Sequence, residues 1–318
     1  MTAVIIINWN GFALTRLCLD SLERAEGDFF VVVVDNGSTD SSVQDLSDLC
    51  AEYKAHNVYL LSLNDNYGFA GGNNRGISYA MQFHPDSYML LNNDTEVEPD
   101  FFIRLTNFSK AHPEYRVLSP RINYWIDKNK IWYAGGRLTF GSRQNIYRDK
   151  NENVVKGMQW LRVTFVSGCA LFCYKDIVPE DGCLLSERFF FSEEDYEFSL
   201  SMRDRHIPMA CITDSVIYHK VGMARNGGRL SCSLGKDYNY YLGRLICARL
   251  HYNKLEFKLI LELSMIKALG VINRNTSSLC DTLKVISHLA EDAKRKEGIS
   301  HQDFLSLSVT GTYFDFLK

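Results

Sequence analysis

Between residue 3 and about residue 120, short runs of β-branched and other apolar residues alternate with segments whose apolar positions recur at helical spacing. That alternation is the mark of βαβ units around a mostly parallel sheet. VIIIN (4–8), FFVVVVD (29–35), VYLLSL (58–63), SYMLLN (87–92) and YRVLS (115–119) predict strands. They are almost continuously apolar, which suits strands covered by helices on both faces. The intervening segments 12–25, 40–54, 70–83 and 98–111 predict helices, the last bracketed by Pro99 and Pro113.

From 121 to 165 the pattern loses its period and mixes Trp, Tyr, Gly and charged residues, predicting short strands and a long loop. Regularity returns with TFVSGCALFCY (164–174), read as a strand pair or a strand and turn, then with FFFSEEDYEFSLSMRDRH (189–206) and the strand ACITDSVIYH (210–219). A polar, glycine-containing stretch, KVGMARNGGRLS (220–231), separates these from a helical C-terminal region, about 236–318. The expected organisation is an α/β domain over residues 1–230 followed by that helical region.

Charge narrows the function classes. With 35 Lys plus Arg against 38 Asp plus Glu there is no basic excess to favour nucleic acid. Nine scattered cysteines form no CxxC, so neither a disulfide framework nor a zinc site is indicated, and reduced thiols in a cytoplasmic protein are expected. Met1 leads directly into a short apolar strand without a basic leader or cleavage signal.

Ligands of open parallel sheets sit beyond the carboxyl ends of the strands. Polar residues cluster at those ends here: Asn8-Trp9-Asn10-Gly11, Asp35-Asn36-Gly37-Ser38-Thr39-Asp40 and Asn92-Asn93-Asp94-Thr95. Each alone is also what a strand-to-helix turn requires. A carboxylate at Asp35 is suited to a pyrimidine or ribose, and one at Asp94 to a hard cation such as Mg²⁺ or Mn²⁺ shared with a ligand's phosphates. The segment from Asn66 to Gly76, which includes Gly71 and Asn74, carries glycines that either admit a phosphate to a helix N-terminus or let the helix pack closely on the sheet. It is neither a GxGxxG fingerprint after the first strand nor a GxxxxGK[ST] loop, which weighs against dehydrogenases and P-loop enzymes.

Two further features carry chemistry. In Glu193-Glu194-Asp195-Tyr196-Glu197, Ser192 and Asp195 form a capping-box pattern, yet Phe189, Phe190 and Phe191 place the cluster beside apolar packing. Burial there would raise a carboxylate's pKa toward that of a general base. His219 ends a strand, either as a structural residue or as a nitrogen ligand to the cation of Asp94, with Lys220, Arg225 and Arg229 following in a loop suited to a diphosphate.

In order and spacing, VIIINWNG, VVVVDNGSTD, NYGFAGGNNRG, LLNNDTEVEPD, VSGCALF, FFFSEEDYEFSLSMR and VIYHKVG resemble the family 2 glycosyltransferases of GT-A fold, nearest the rhamnosyltransferase-like enzymes of bacterial surface polysaccharide assembly. The resemblance implies an inverting, metal-dependent sugar transfer from a pyrimidine nucleotide-sugar, dTDP-rhamnose first and UDP-hexoses next, to a glycan or lipid-linked acceptor. It implies that Asp35 contacts the base and that Asn8, Asn10, Asn36, Gly71, Asn74 and Asn93 belong to the donor pocket. Asp94 becomes the last acid of a DxD-type metal motif, His219 completes the metal site, and Asp195, with Glu194 beside it, becomes the base. Asn92 and Asn93 replace the earlier acids of DxD, and Glu197 stands where this branch often has Asp, leaving the roles of Glu194, Asp195 and Glu197 undivided.

A sugar nucleotidyltransferase is the main rival, but NWNG lacks the basic, glycine-rich loop that such an enzyme needs; a silent nucleotide-sugar-binding module is the other. In the C-terminal region, residues 236–274 carry seven Lys or Arg against three acids. The stretch LEFKLILELSMIKALGVI (255–272) is interrupted by four charges, too many to span a bilayer. It suits either the cytoplasmic membrane surface or packing on the catalytic domain. Tyr238, Tyr240 and Tyr241 suit an acceptor groove or the contact of a homodimer.

Overall fold

The computed structural model describes residues 1–53, 56–221 and 232–317. The predicted alternation is present as β1 (Thr2–Asn8), α1 (Phe12–Glu23), β2 (Phe29–Asp35), α2 (Ser42–Glu52), β3 (Val58–Ser62), α3 (Gly68–Ala80), β4 (Ser87–Asn92), β5 (Thr95–Val97) and α4 (Phe101–Ala111). Strands β4, β1, β2 and β3 lie side by side in parallel, Asn8 pairing with Asp35 at the carboxyl ends of β1 and β2. Every residue of β2 is buried, as a strand covered on both faces requires. Gly76 allows α3 to lie directly on this sheet, because a Cβ there would come within 2.5 Å of Ile5.

The later strands extend the sheet in mixed sense. β6 (Val117–Tyr124) runs parallel to β12 (Met209–His219), while β11 (Ala170–Tyr174) is antiparallel to both β4 and β6. β10 (Trp160–Val163) closes one edge against β12, and β7 (Ile131–Tyr133) pairs with β6. The strand expected to stop at Ser119 continues through Pro120 to Tyr124. Proline is tolerated because β12 bulges opposite it: Ile212 faces Pro120 and Val216 faces Arg121, so Thr213 to Ser215 are displaced from the ladder. The displaced polar groups are satisfied elsewhere, Thr213 N donating to Gln159 O and Ser215 Oγ to Phe101 O.

Within the irregular 121–165 segment, β8 (Gly136–Thr139) and β9 (Ser142–Asn145) form a small separate hairpin. After α5 (Glu194–Asp204), the C-terminal region consists chiefly of α6 (Ser233–His251), α7 (Lys254–Ile272) and α8 (Leu279–Arg295). A capping box starts α7: Asn253 Oδ1 accepts from the Glu256 N–H, and Glu256 Oε2 accepts from the Asn253 N–H. Leu242, Ile246 and Leu289 join the same continuous hydrophobic core as the sheet. Among the described residues no helix is long and apolar enough to cross a membrane. Tyr238, expected in a groove or at a dimer contact, is instead fully buried with its hydroxyl donating to Asp292 at 2.6 Å, because α6 turns that face onto α8.

Candidate active site

The carboxyl ends of β1 and β2 are joined by one hydrogen-bonded chain. Asn93 Nδ2 donates to Thr15 Oγ1, which donates to Asn8 Oδ1 at 2.7 Å; Asn8 Nδ2 in turn donates to Asp35 Oδ2 at 2.8 Å. Ser38 donates to Asp35 through both its N–H (2.9 Å) and its hydroxyl (2.6 Å), and Asn10 N donates back to Ser38 Oγ. Asp35 is wholly buried, with both of its oxygens accepting. Asn36 Nδ2 donates to Asn66 Oδ1 and Gly68 O, fixing the start of α3. Asn74 is likewise engaged, donating to Leu185 O and Glu187 Oε1 and accepting from Leu185 N. Gly71 sits one turn into α3, where a Cβ would lie 2.8 Å from that of Tyr67.

Asp94 and His219 meet because β5 pairs antiparallel with the end of β12, His219 opposite Thr95. His219 Nε2 lies 3.1 Å from Asp94 Oδ1, and Lys220 N donates to Asp94 O. Beyond that charge contact, Asp94 Oδ1 and His219 Nδ1 are buried without a hydrogen-bond partner, which is costly unless a ligand supplies one. Burial disfavours a charged imidazole, but Cys169 and Asp94 more than offset it and push the His219 pKa up to about 10. Among the described residues no group of three or more His, Cys, Asp and Glu is placed to hold a metal ion. The Asp94 carboxylate and, once deprotonated, the His219 imidazole nevertheless supply an oxygen and a nitrogen that fit a Mg²⁺ or Mn²⁺ ion taking its remaining ligands from phosphate and water. Arg225 and Arg229 of the expected basic loop lie outside the described residues.

The acidic cluster departs from the capping-box expectation. Ser192 (φ 79°) and Glu193 (φ 71°) are both left-handed, and no side chain caps the first turn of α5. Such a conformation costs about 1–2 kcal/mol per residue, and ion pairs hold it. Arg143 Nη1 of β9 lies 2.5 Å from the buried Glu193 Oε2, and Arg244 Nε of α6 lies 3.4 Å from the same oxygen. Glu197 is taken by His251 of α6 at 3.2 Å. That leaves Glu194 and Asp195. Gly168 N donates to Asp195 Oδ2 at 3.3 Å, whereas Asp195 Oδ1 and Glu194 Oε2 are buried without a hydrogen-bond partner. Burial and the neighbouring Asp195 push the Glu194 pKa up to about 8. Burial also raises that of Asp195, against the lowering effect of Arg143.

The turn Ser167-Gly168-Cys169 joins these parts. Gly168 N holds Asp195, Cys169 O accepts from Asn92 N, Cys169 faces His219, and a Cβ at Gly168 would meet the Phe69 ring of α3 at 3.4 Å. A cavity of about 420 Å³ on the outer face of α5, lined by residues including Glu187, Glu197 and Arg205, shares no residue with this cluster beyond the helix itself. Sequence reasoning missed Arg143, Arg244 and the anchoring role of Glu193. Arg143 lies in the aperiodic segment and Arg244 about 50 positions beyond the acids, and no local pattern links them.

The family model described as glycosyl transferase family 2 matches residues 3–174. The low-salt glycan biosynthesis hexosyltransferase Agl10 of Haloferax volcanii is 31% identical over 121 residues, covering 38% of this chain and 36% of the relative, so the match spans about a third of that protein. Among solved structures, the mannosyltransferase PcManGT from Pyrobaculum calidifontis in complex with GDP-Man and Mn²⁺ is similar with a TM-score of 0.57 at 14% identity, covering 93% of this chain and 86% of that one. GalNAc-T7 with UDP, GalNAc and Mn²⁺ is similar at a TM-score of 0.60 and 12% identity, covering 96% and 56%. TarS 1-349 of S. aureus with UDP-GlcNAc gives 0.53 at 15% identity, covering 93% and 88%. At such identities these likenesses concern the fold, which is the expected GT-A arrangement.

Proposed function

The chain belongs to glycosyl transferase family 2, and on that premise we propose that it is an inverting, metal-dependent hexosyltransferase using a pyrimidine nucleotide-sugar, dTDP-rhamnose or a UDP-hexose. The acceptor is a hydroxyl of a glycan or lipid-linked saccharide in bacterial surface polysaccharide synthesis. The observation that carries this reading is the Ser167–Cys169 turn, which bonds the Asp195 carboxylate through Gly168 N, faces His219 through Cys169 and lies beside Phe69 of the donor-side helix. The nucleoside belongs at the network of Asn8, Asn10, Asp35 and Asn36, with Gly71, Asn74 and Asn93 completing the pocket.

Asp94 and His219 would hold the divalent ion, which when bound supplies positive charge to the departing diphosphate. Asp195 Oδ1 accepts the proton of the acceptor hydroxyl as the hydroxyl oxygen bonds to the anomeric carbon and the bond from this carbon to the diphosphate oxygen breaks. Attack from the side opposite the leaving group inverts the anomeric centre. Glu194, protonated near neutral pH, spares Asp195 a second adjacent charge.

A lipid-linked acceptor calls for a surface that meets the membrane, and α7 supports that role. Leu255 (78% exposed), Leu259, Leu263, Ile266 (71% exposed) and Leu269 form one outward stripe. An apolar hollow of about 630 Å³ beside it, lined by Leu261, Met265 and Ala290, is flanked by Lys258 and Lys294 against the single acid Glu262. An apolar stripe edged with lysines fits an anionic bilayer surface, and we place the enzyme peripherally on the cytoplasmic face.

The deciding experiment is a panel of UDP-, dTDP- and GDP-sugars with and without Mn²⁺, read by thermal shift and by transfer. A pyrimidine donor that requires the metal is the expected result. A GDP preference would overturn the role of Asp35, and binding without turnover on any acceptor would leave only a recognition module.

A further inference from the structure

We infer that Arg143, on the small β8–β9 hairpin, is a positioning residue that divides the work between Glu194 and Asp195 by anchoring on Glu193 and facing the free oxygen of Asp195. The inference rests on the functional reading above, in which Asp195 is the base. Three carboxylates, Glu193, Glu194 and Asp195, occupy consecutive positions at the start of α5, and two guanidiniums, Arg143 and Arg244, face them from β9 and α6. Among the described residues one acid is therefore left without a matching cation and keeps a proton.

Geometry decides which one. Arg143 Nη1 is committed to Glu193 Oε2 at 2.5 Å, and its Nη2 lies 3.6 Å from Asp195 Oδ1. That second separation is too long for a hydrogen bond, so the oxygen stays free to take a proton, yet short enough for the charge to favour the ionised form. Glu194 makes no ion pair among the described residues and is left as the proton holder. The guanidinium is itself oriented by the rings of Phe165 and Tyr196, 5.0 and 5.5 Å away. Arg244 steadies the arrangement from α6, donating to Ser142 Oγ at 2.5 Å and stacking on Tyr240 at 4.1 Å.

Among the described residues the other titratable groups that face Asp195 are Tyr133 behind it, Cys169 on the adjacent turn and Cys247 of α6, whose pKa values are all raised by burial. Glu197 is engaged by His251. Among the described residues Arg143 is thus the cation that acts on Asp195 without a hydrogen bond to it, and because it also anchors Glu193 the test needs a charge-keeping variant beside a charge-removing one.

The experiment measures kcat against pH for the full chain and for Arg143→Met and Arg143→Lys, using the donor and acceptor on which the wild type turns over. Arg143→Met should move the acid limb up by about one unit, so that an approximately tenfold loss of kcat on the acid side of the wild-type limb disappears on its alkaline plateau. The donor KM should stay within about twofold. Arg143→Lys, which keeps the charge, should retain the wild-type limb. A uniform loss at every pH, or an unmoved limb, would overturn the inference. Should Arg143→Met fail to fold, Arg143→Gln, which can still donate to Glu193, carries the same test. The titration of the Asp195 side-chain carboxyl carbon by NMR decides the point without turnover: its midpoint should rise in the charge-removing variant, and an equal midpoint overturns the role of Arg143. An inactive wild type with a shifted midpoint would instead sink the transferase reading alone.

Discussion

The two sides of the cluster differ in how their polar atoms are used. At the ends of β1 and β2, Asn8, Asp35 and Ser38 satisfy one another completely. At the other side, His219 Nδ1, Glu194 Oε2 and Asp195 Oδ1 are buried and lack hydrogen-bond partners, and Asp94 Oδ1 has only its contact with His219 Nε2. Buried polar groups are normally paired, and each orphan costs about 1–3 kcal/mol. On the function proposed above, the satisfied side would serve as a preformed wall of the donor pocket, and the unsatisfied side would store interaction for a cation and a reacting hydroxyl. Substitutions on the two sides should therefore fail in different ways.

The largest effect is expected at the orphaned carboxylate. Asp195→Asn keeps the size of the side chain but cannot take a proton, and should lower kcat about a hundredfold or more while leaving donor binding by thermal shift unchanged. Near-wild-type transfer would remove Asp195 from the mechanism. Asp94→Asn should lower kcat/KM about tenfold to a hundredfold and weaken the response to Mn²⁺ in titrations. If chelation left transfer intact, the metal role of Asp94 and His219 would fall.

Glu194 tests the comparison through stability. Its carboxyl ionises near the ordinary 4.5 when unfolded and near 8 when folded. The folded state thus keeps a proton that the unfolded chain releases, and stability declines as pH rises across that window. Glu194→Gln is neutral throughout, so its melting temperature should exceed that of the wild type above pH 8 and match it near pH 4.5. A gain of about 2–4 °C per kcal/mol is the expected scale. A pH-independent difference would mean that Glu194 is not held protonated.

How much of this was readable in the sequence follows the range of the interactions. Runs such as FFVVVVD report a strand directly because burial on both faces is written into consecutive residues. The seven motifs placed the family correctly because their order reflects one fold. Strand β6 was cut short because Pro120 is acceptable only opposite a bulge some 90 residues later. Ser192 and Asp195 suggested a cap, but the backbone there is set by Arg143 and Arg244, which no periodicity connects to it. Tyr238 looked available because an aromatic on a helix does not declare which neighbour covers it.

On the satisfied side a smaller loss is expected. Ser38→Ala removes the hydroxyl that donates to Asp35 and accepts from Asn10 N, together worth about 1–2 kcal/mol. The donor KM should rise severalfold with kcat nearly unchanged, the signature of lost ground-state binding. A fall in kcat with constant KM would contradict the division between wall and reacting side.

The smallest effect on the chemistry should come from α7, which lies outside the comparison and marks its boundary. Leu259 and Ile266 point outward, and neither contributes to the buried core. Replacing both with Ser removes apolar surface that would otherwise enter a bilayer, about 25 cal/mol for each Å² lost. Turnover on a water-soluble acceptor should stay within about twofold of wild type. Co-sedimentation with vesicles containing anionic phosphatidylglycerol should drop sharply, and added salt should weaken wild-type binding because Lys258 and Lys294 act through screened charge. Retained vesicle binding by the double variant would move the membrane contact elsewhere. Lost turnover on the soluble acceptor would instead mean that α7 supports the positions of Arg244 and Glu193 through α6, joining the C-terminal helices to the reacting side.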